Sequence, residues 1–350
     1  MTRNIPLRYF AFALLYFAEG AILSYFTSLN AIYLRSFHLT MSQVGLFSAI
    51  AVIPMILKVF IGMLSDRVSL FGMGHRKPYI VIGLLMQTAG ILVFPYLHPV
   101  HSFGWMVLTG FLVVAGMAVY DTCTDGFALD TTPREDEGRV QGIMVAGRAS
   151  GVVLIAGLLG IISSQANWTW VFLVLASMSL LPLPLVFLMK EPAKLPEAKF
   201  NWNAFRILKR RDTIALGMLG ASFTLITNGS NELVNPLLRD SFGISYMLAG
   251  FYTALWGAGV IVGGLTGGRF TDRFGDRKAL TGAMLTAFGS VTILASMTGP
   301  DMAWPLVFLF GIAYGYYETA FFATSMAVTD IRIAASMFSI LMAMANIGSS

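Results

Sequence analysis

The sequence predicts an all-α membrane protein made of two related helical bundles, and three observations carry that expectation. Apolar runs fill most of its 350 residues: 56% are hydrophobic, only 12% are charged, and the mean hydropathy is positive. So few charges cannot coat one soluble globule, whereas a bilayer suits the composition. A charged, glycine-framed loop occurs once in each half, the mark of an internal duplication. Lysine and arginine crowd into alternate connections between the apolar runs, as in a chain threaded through a membrane in one orientation.

Ten complete apolar segments of about 20 residues, enough to span a bilayer, lie near residues 8–34, 44–64, 79–97, 104–129, 140–165, 168–189, 213–237, 246–268, 279–298 and 303–328. An eleventh starts near Ala334. Numbered in chain order, spans one to six make a first bundle over residues 1–189, a polar connection covers 190–212, and the second bundle occupies 213–350. Duplication predicts six spans per half, so the second bundle is expected to be truncated, missing most of span eleven and all of span twelve.

Arg3, Arg8, Arg67, Arg76, Lys77, Arg134, Arg139, the basic residues from Lys190 to Arg211, Arg269, Arg273, Arg277, Lys278 and Arg332 fall in the N-terminus and the connections after even-numbered spans. Only Arg35 and Arg239 fall on the other side. The N-terminus is therefore expected in the cytoplasm, with the chain in a plasma (inner) membrane. The net charge of +5 resides in these loops, which argues against nucleic acid as a partner. Nothing resembles a cleavable signal peptide, because the first apolar run is too long and holds Glu19. The single Cys123 excludes an intramolecular disulfide. Within the 190–212 connection, Trp202, Phe205 and Leu208 share a helical face opposed by basic residues, which suits an amphipathic helix lying on an anionic leaflet. A merely solvated basic linker is the alternative.

The first copy of the repeated loop reads Gly62-Met63-Leu64-Ser65-Asp66-Arg67 and continues through Gly72, Gly74 and His75-Arg76-Lys77. The second reads Gly268-Arg269-Phe270-Thr271-Asp272-Arg273-Phe274-Gly275-Asp276-Arg277-Lys278. The Gly-x-x-x-Asp-Arg cores lie 206 positions apart, whereas Arg76-Lys77 and Arg277-Lys278 are offset by 201, so the first copy carries a five-residue insertion. An aspartate at a helix end pairs readily with the positive N-terminus of the following helix and a nearby arginine, and such a contact breaks when one half rocks against the other. The loops are thus expected to act as conformational latches, the alternative being tight turns whose cations only set topology.

An ionised side chain inside a span is costly unless paired or hydrated, so each one is a functional candidate. Glu19 lies midway along span one, Asp121 and Asp125 share a face of span four at i and i+4, and Lys58 and Arg148 stand ~12 to 14 Å from their loops at about 1.5 Å per residue. These five are expected to form one ionic network in the first bundle, with a net charge of minus one if all are ionised. One carboxyl there should bind a proton readily. The second half contributes Glu232 in span seven and Glu318 in span ten. Gly147 and Gly151 in span five and Gly259, Gly263 and Gly267 in span eight follow a small-x-x-x-small spacing that lets helices approach closely. The sequence has no phosphate-cradling Gly-x-x-x-x-Gly-Lys-Ser/Thr motif and no His/Cys cluster, so an ATPase or metalloenzyme is disfavoured and no cofactor or metal is expected.

With these residues in place, the chain resembles the major facilitator superfamily, whose signature between spans two and three and between eight and nine is the same Gly-x-x-x-Asp-Arg/Lys-x-Gly-x-Arg/Lys-Arg/Lys pattern. The second copy matches it at Gly268, Asp272, Arg273, Gly275, Arg277 and Lys278. Lys58, Gly62, Ser65-Asp66, Phe71-Gly72 and Arg76-Lys77-Pro78-Tyr79 are similar to the folate-biopterin transporters, and Asp121 and Asp125 to those proteins and the muropeptide permeases. Lys77-Pro78-Tyr79-Ile80 with Gly83, Gln87 and Pro95, then Gly126-Phe127-Ala128-Leu129, and Thr253-Ala254-Leu255-Trp256 with Gly259, resemble the light-harvesting-complex assembly proteins, although Asn235-Pro236 stands where those carry Glu-Pro. The resemblance implies a major facilitator fold: two pseudo-symmetric six-helix bundles around a cavity lined by spans one, four, seven and ten, each of which carries a carboxylate here, with the glycines of spans five and eight where the bundles meet, ordinary tight packing being the alternative for them. It also implies a monomeric secondary active transporter that moves a small organic, anionic or amphipathic solute by alternating access, coupled to protons. A non-transporting pigment-handling or assembly protein is the rival, and a channel a third option.

Overall fold

In a computed structural model the described residues, 5–26, 30–165, 168–192, 199–240, 242–243 and 246–347, are helical with short connections. The first half holds α1 (Ile5–Ser24), a short α2 (Asn30–Ser36), α3 (Met41–Arg67), α4 (Lys77–Val93), α5 (Phe103–Thr131), α6 (Glu137–Gln165) and α7 (Trp168–Leu180), which continues after a turn as α8 (Leu183–Leu188). A 3-10 helix over Trp202–Lys209 leads into α9 (Arg211–Asp240), α10 (Tyr246–Phe274), α11 (Asp276–Ala295), α12 (Pro300–Val328) and α13 (Ala334–Ile347). Helix is what a bilayer imposes, because a lipid-facing backbone must satisfy its N–H and C=O groups within the segment.

Local chemistry sets several boundaries. Thr40 and Gln43 form a reciprocal capping box at the start of α3, and Pro78 sits in the first turn of α4, where its missing N–H costs nothing. Gly275 separates α10 from α11 at φ +84, a conformation only glycine adopts cheaply. In the 3-10 helix three residues make one turn, so Trp202, Phe205 and Leu208 stack directly along one side. Trp202 is exposed and lies against Phe205, while Phe205 and Leu208 pack inward.

Among the described residues seven helices are long and apolar enough to cross a membrane: α1, α3, α4, α5, α7 with α8, α11 and α12. The sequence had suggested ten such spans. The other three expected spans fall on α6, α9 and α10, which have 29 or 30 residues and enough length to cross.

Within the first half α1 packs on α6, and α3 and α4 pack on α5; within the second, α10 and α11 pack on α12. The halves meet where α10 lies along α6 and α13 along α3. Glycine permits both crossings, though not the glycines expected. Gly147 and Gly151 press on the backbone of α1 at Ala13 and Phe17, and Gly259, Gly263 and Gly267 press on α12 at Phe308, Ile312 and Tyr316. The interface between the halves instead uses Gly138 and Gly142 of α6 against Gly268 and Gly264 of α10, with Gly62 of α3 against Ala335 of α13. Residues 142 and 147 differ by five positions, which places them on different sides of one helix.

A Cβ on Gly142 would collide with the Gly264 carbonyl oxygen, whereas a Cβ on Gly289 would meet nothing within 4 Å. Gly142→Ala is therefore expected to cost about 1–3 kcal/mol through overpacking, read as a fall in the thermal unfolding midpoint of the purified protein. Gly289→Ala should leave that midpoint unchanged or slightly raised.

Candidate functional site

The repeated loops lie at one end of the molecule, here termed the basic end, and each aspartate holds the first turn of a helix from the other half rather than that of the helix that follows it; after α3 the N–H groups at the start of α4 are already taken by Glu191. Asp66, at the end of α3, accepts hydrogen bonds from the backbone N–H of Ala335 at 3.2 Å and of Ser336 at 2.8 Å, and from the Ser336 hydroxyl at 2.6 Å. Asp272, near the end of α10, accepts from the backbone N–H of Gly138 at 2.7 Å and of Arg139 at 2.8 Å. In both cases the donors are the second and third residues of a helix, α13 and α6 respectively. Those N–H groups have no partner inside their own helix, and the helix dipole concentrates positive potential on them, so a carboxylate is their natural acceptor.

The two copies differ in what stands behind the aspartate. Arg76 is fully buried and donates to Asp66 at 2.6 Å, to Asp130 at 2.7 Å and to the Ser65 hydroxyl at 2.8 Å. Glu191, just after α8, accepts from the backbone N–H of His75, Arg76 and Lys77, which caps the start of α4, and Lys77 Nζ donates to the Phe187 carbonyl. The equivalent Arg277 and Lys278 are exposed, and Arg273 lies over the Phe274 ring. Counting back from the helix ends, the place of Asp130 on α5 is held by Ala327 on α12, so no second carboxylate draws Arg277 inward. Arg67 is exposed as well and makes no ion pair among the described residues.

Deeper in the bundle the charges are paired differently from the expected single network. Lys58 Nζ donates to Asp121 at 3.3 Å, with both side chains about 5% exposed. Asp125 accepts from the Tyr16 hydroxyl of α1. Glu19, 4% exposed, lies within electrostatic reach of Asp121, Arg148, Asp125 and Lys58, and its Oε2 has no hydrogen-bond partner among the described residues. Arg148 is bound neither to Asp121 nor to Asp125: it forms an ion pair with Glu318 of α12, across the two halves. Depth along a helix was readable from sequence, but the direction in which α6 turns Arg148 was not. The side chain of Glu232 lies outside the described residues. Among those described, no group of His, Cys, Asp and Glu is arranged to hold a metal ion.

Two halves of packed apolar helices, joined at one end by carboxylates on helix termini and holding buried charge between them, define a multi-pass membrane transporter. The chain belongs to the Major Facilitator Superfamily, whose profile matches residues 9–350. An uncharacterized MFS-type transporter, YcxA of Bacillus subtilis, is 24% identical over 80% of this chain and 69% of its own length. The anhydromuropeptide permease of Escherichia coli is 22% identical over 95% of this chain and 70% of its own length. Among solved structures the fucose:proton symporter FucP of Escherichia coli superposes with a TM-score of 0.75 at 17% identity, covering 99% of this chain and 90% of that one. The fold is thus that of the major facilitators, and family and relatives together make the protein a transporter rather than an enzyme.

Glu137 precedes the apolar stretch that begins at Val140 and adjoins the second latch. Burial pushes its carboxyl from the ordinary 4.5 up to about 7; Asp276 and Asp272 reinforce the shift and Arg134 opposes it. A group that titrates near 7 when latched and near 4.5 when exposed binds more proton in the latched state. That contribution is complete below 4.5 and is lost as pH rises through 7. Spin labels on cysteines placed at Phe71 and Lys278, in a Cys123→Ser background, should report a growing long-distance population as pH is raised from about 6 to about 8. Glu137→Gln should flatten the trend, and a pH-independent distribution in the parent protein would count against it.

Proposed function

We propose that this protein is a secondary active transporter that carries a small organic solute by alternating access and draws on a proton gradient. In this reading residues 1–189 and 213–350 are the two moving bundles, and 190–212 is their linker, with the exposed Trp202 on the membrane surface. The basic end faces the cytoplasm, by the positive-inside rule, and the membrane is a plasma (inner) membrane. The transporter works as a monomer.

The observation that carries the reading is the pair of equivalent latches. Each bonds one half to the other through N–H groups that a helix leaves unpaired at its start, so the basic end opens by breaking hydrogen bonds without unwinding a helix. Buried carboxylates supply the coupling. A driving ion moves an equilibrium only by binding the two states differently, and a carboxyl whose cation partner lies on the opposite half changes its surroundings when the halves part. Glu318 has such a partner in Arg148, while Glu19 sits among four charges with one oxygen unpartnered. FucP, a fucose:proton symporter of the same fold, agrees with this choice of ion.

The test is uptake of radiolabelled neutral sugars, carboxylates and small peptides by the purified protein in liposomes, with and without an imposed pH gradient. The gradient is expected to raise accumulation of one solute class about tenfold, and Glu19→Gln, Asp121→Asn or Glu318→Gln to remove that stimulation. Uptake that ignores the gradient refutes proton coupling. Coupling that survives all three substitutions removes these carboxylates from the mechanism.

A further inference from the structure

The two buried ion pairs of the interior are built for different purposes. Lys58 and Asp121 belong to one half and are sealed, each side chain about 5% exposed, whereas Arg148 and Glu318 come from opposite halves and are 21% and 14% exposed. The Arg148–Glu318 contact uses a single guanidinium nitrogen, Nη2, and the rest of the fork makes no hydrogen bond among the described residues. Aromatic side chains surround it. Tyr314, Glu318 and Phe322 recur every four residues on one face of α12, with Phe322 beneath the guanidinium at 5.9 Å. Trp256 of α10 meets Tyr314 edge-on at 5.1 Å, and its indole N–H is buried with no acceptor among the described residues. Trp256, Tyr314 and Phe322 all rest on the apolar patch of Val145, Ala149 and Val260 where α6 meets α10.

We propose that this place recognises an organic carboxylate with a planar aromatic body, whose carboxylate takes the position of Glu318 on Arg148 while its ring lies against Trp256, Tyr314 and Phe322. The proposal rests on the transporter reading and names the substrate class for it. A planar guanidinium fork matches a carboxylate through two parallel N–H···O bonds, which its present contact with Glu318 does not use. The aromatic walls add apolar area and ring contacts, and the free indole N–H supplies a donor for a polar substituent. Among the described residues Arg148 is the one cation paired with Glu318, so a second carboxylate leaves one negative charge in excess, and Glu318 takes up a proton from water as the ligand anion arrives. Binding of one anion then consumes one proton, with no net change of charge in the site.

The experiment is isothermal titration of the purified full chain in detergent with 1-naphthoate, using 1-naphthamide as the uncharged analogue, in buffers of different ionisation enthalpy. Naphthoate should bind at least about tenfold more tightly than the amide, a difference of about 1.4 kcal/mol, and should take up about one proton per molecule bound. Arg148→Gln should abolish the preference for the carboxylate and Arg148→Lys should retain part of it. Glu318→Gln should tighten naphthoate binding several-fold and remove the proton uptake. An ion pair that only stabilises the fold would make the two neutralising substitutions weaken binding alike, and that result overturns the proposal. So does equal affinity for the two compounds, or binding of neither, in the unmodified protein, an arm that needs no variant to fold. Naphthoate binding with these signs alongside gradient-independent uptake would refute proton-driven transport and leave the site standing, whereas gradient-driven uptake of a neutral solute with no carboxylate preference would do the reverse.

Discussion

A carboxylate placed on the first turn of a foreign helix is the contact from which the rest of this structure follows. It occurs twice, on the second and third residues of α13 and of α6, and joins the halves at the basic end. The donors are groups that every helix leaves unpaired at its start, so the contact exchanges with water and does not destroy secondary structure when it opens. An interaction of a charge with a helix terminus is worth about 0.3–1 kcal/mol when exposed and up to ~2 kcal/mol when partly buried. Two such contacts bias the halves toward one arrangement without locking them. Gly62 beside Ala335 and Gly268 beside Gly138 are what allow carboxylate and helix start to come within hydrogen-bond distance.

The interior charges obey the same economy under a harsher dielectric. Removing one member of a buried pair costs about 3–5 kcal/mol because its partner is left uncompensated. In the proposed motion Lys58 and Asp121 do not face that loss, since both lie on packed helices of one half. Arg148 and Glu318 do face it, because separating α6 from α12 separates the charges unless water or another anion replaces the partner. Their greater exposure makes such replacement physically accessible.

Much of the fold was legible because lipid narrows the choices: a long apolar run has to be a helix, and a repeated loop between equivalent runs has to mark equivalent halves. The aspartates of the latches could be named from the sequence, as could the type of partner, a helix N-terminus. The N-terminus itself was wrongly given to the following helix, because Ala335 and Ser336 carry no chemical signal for Asp66. Periodicity gives position along a helix but not its rotation toward a neighbour. That is why Arg148 was assigned to the carboxylates of its own half and in fact meets Glu318, and why Gly147 and Gly151 were given to an interface formed by Gly138 and Gly142. Glu191 was hidden in a stretch read only for its basic residues, although a carboxylate shortly after a span is a plausible cap for a neighbouring helix.

The duplication did not yield equal latches, and the inequality has a direction. On the α3 side, Asp66 bonds the start of α13 and also neutralises Arg76, which is wholly buried and shared with Asp130, while Glu191 fixes the backbone around Arg76 from the linker. Displacing Asp66 therefore disturbs a charge that has no solvent to fall back on. On the α10 side, Asp272 bonds only two backbone N–H groups, its neighbouring arginines are exposed, and Glu137 beside it gains negative charge as pH rises through 7. The electrostatic cost of breaking the latches is thus concentrated on Asp66, and the Asp272 latch is the weaker and more proton-sensitive of the two.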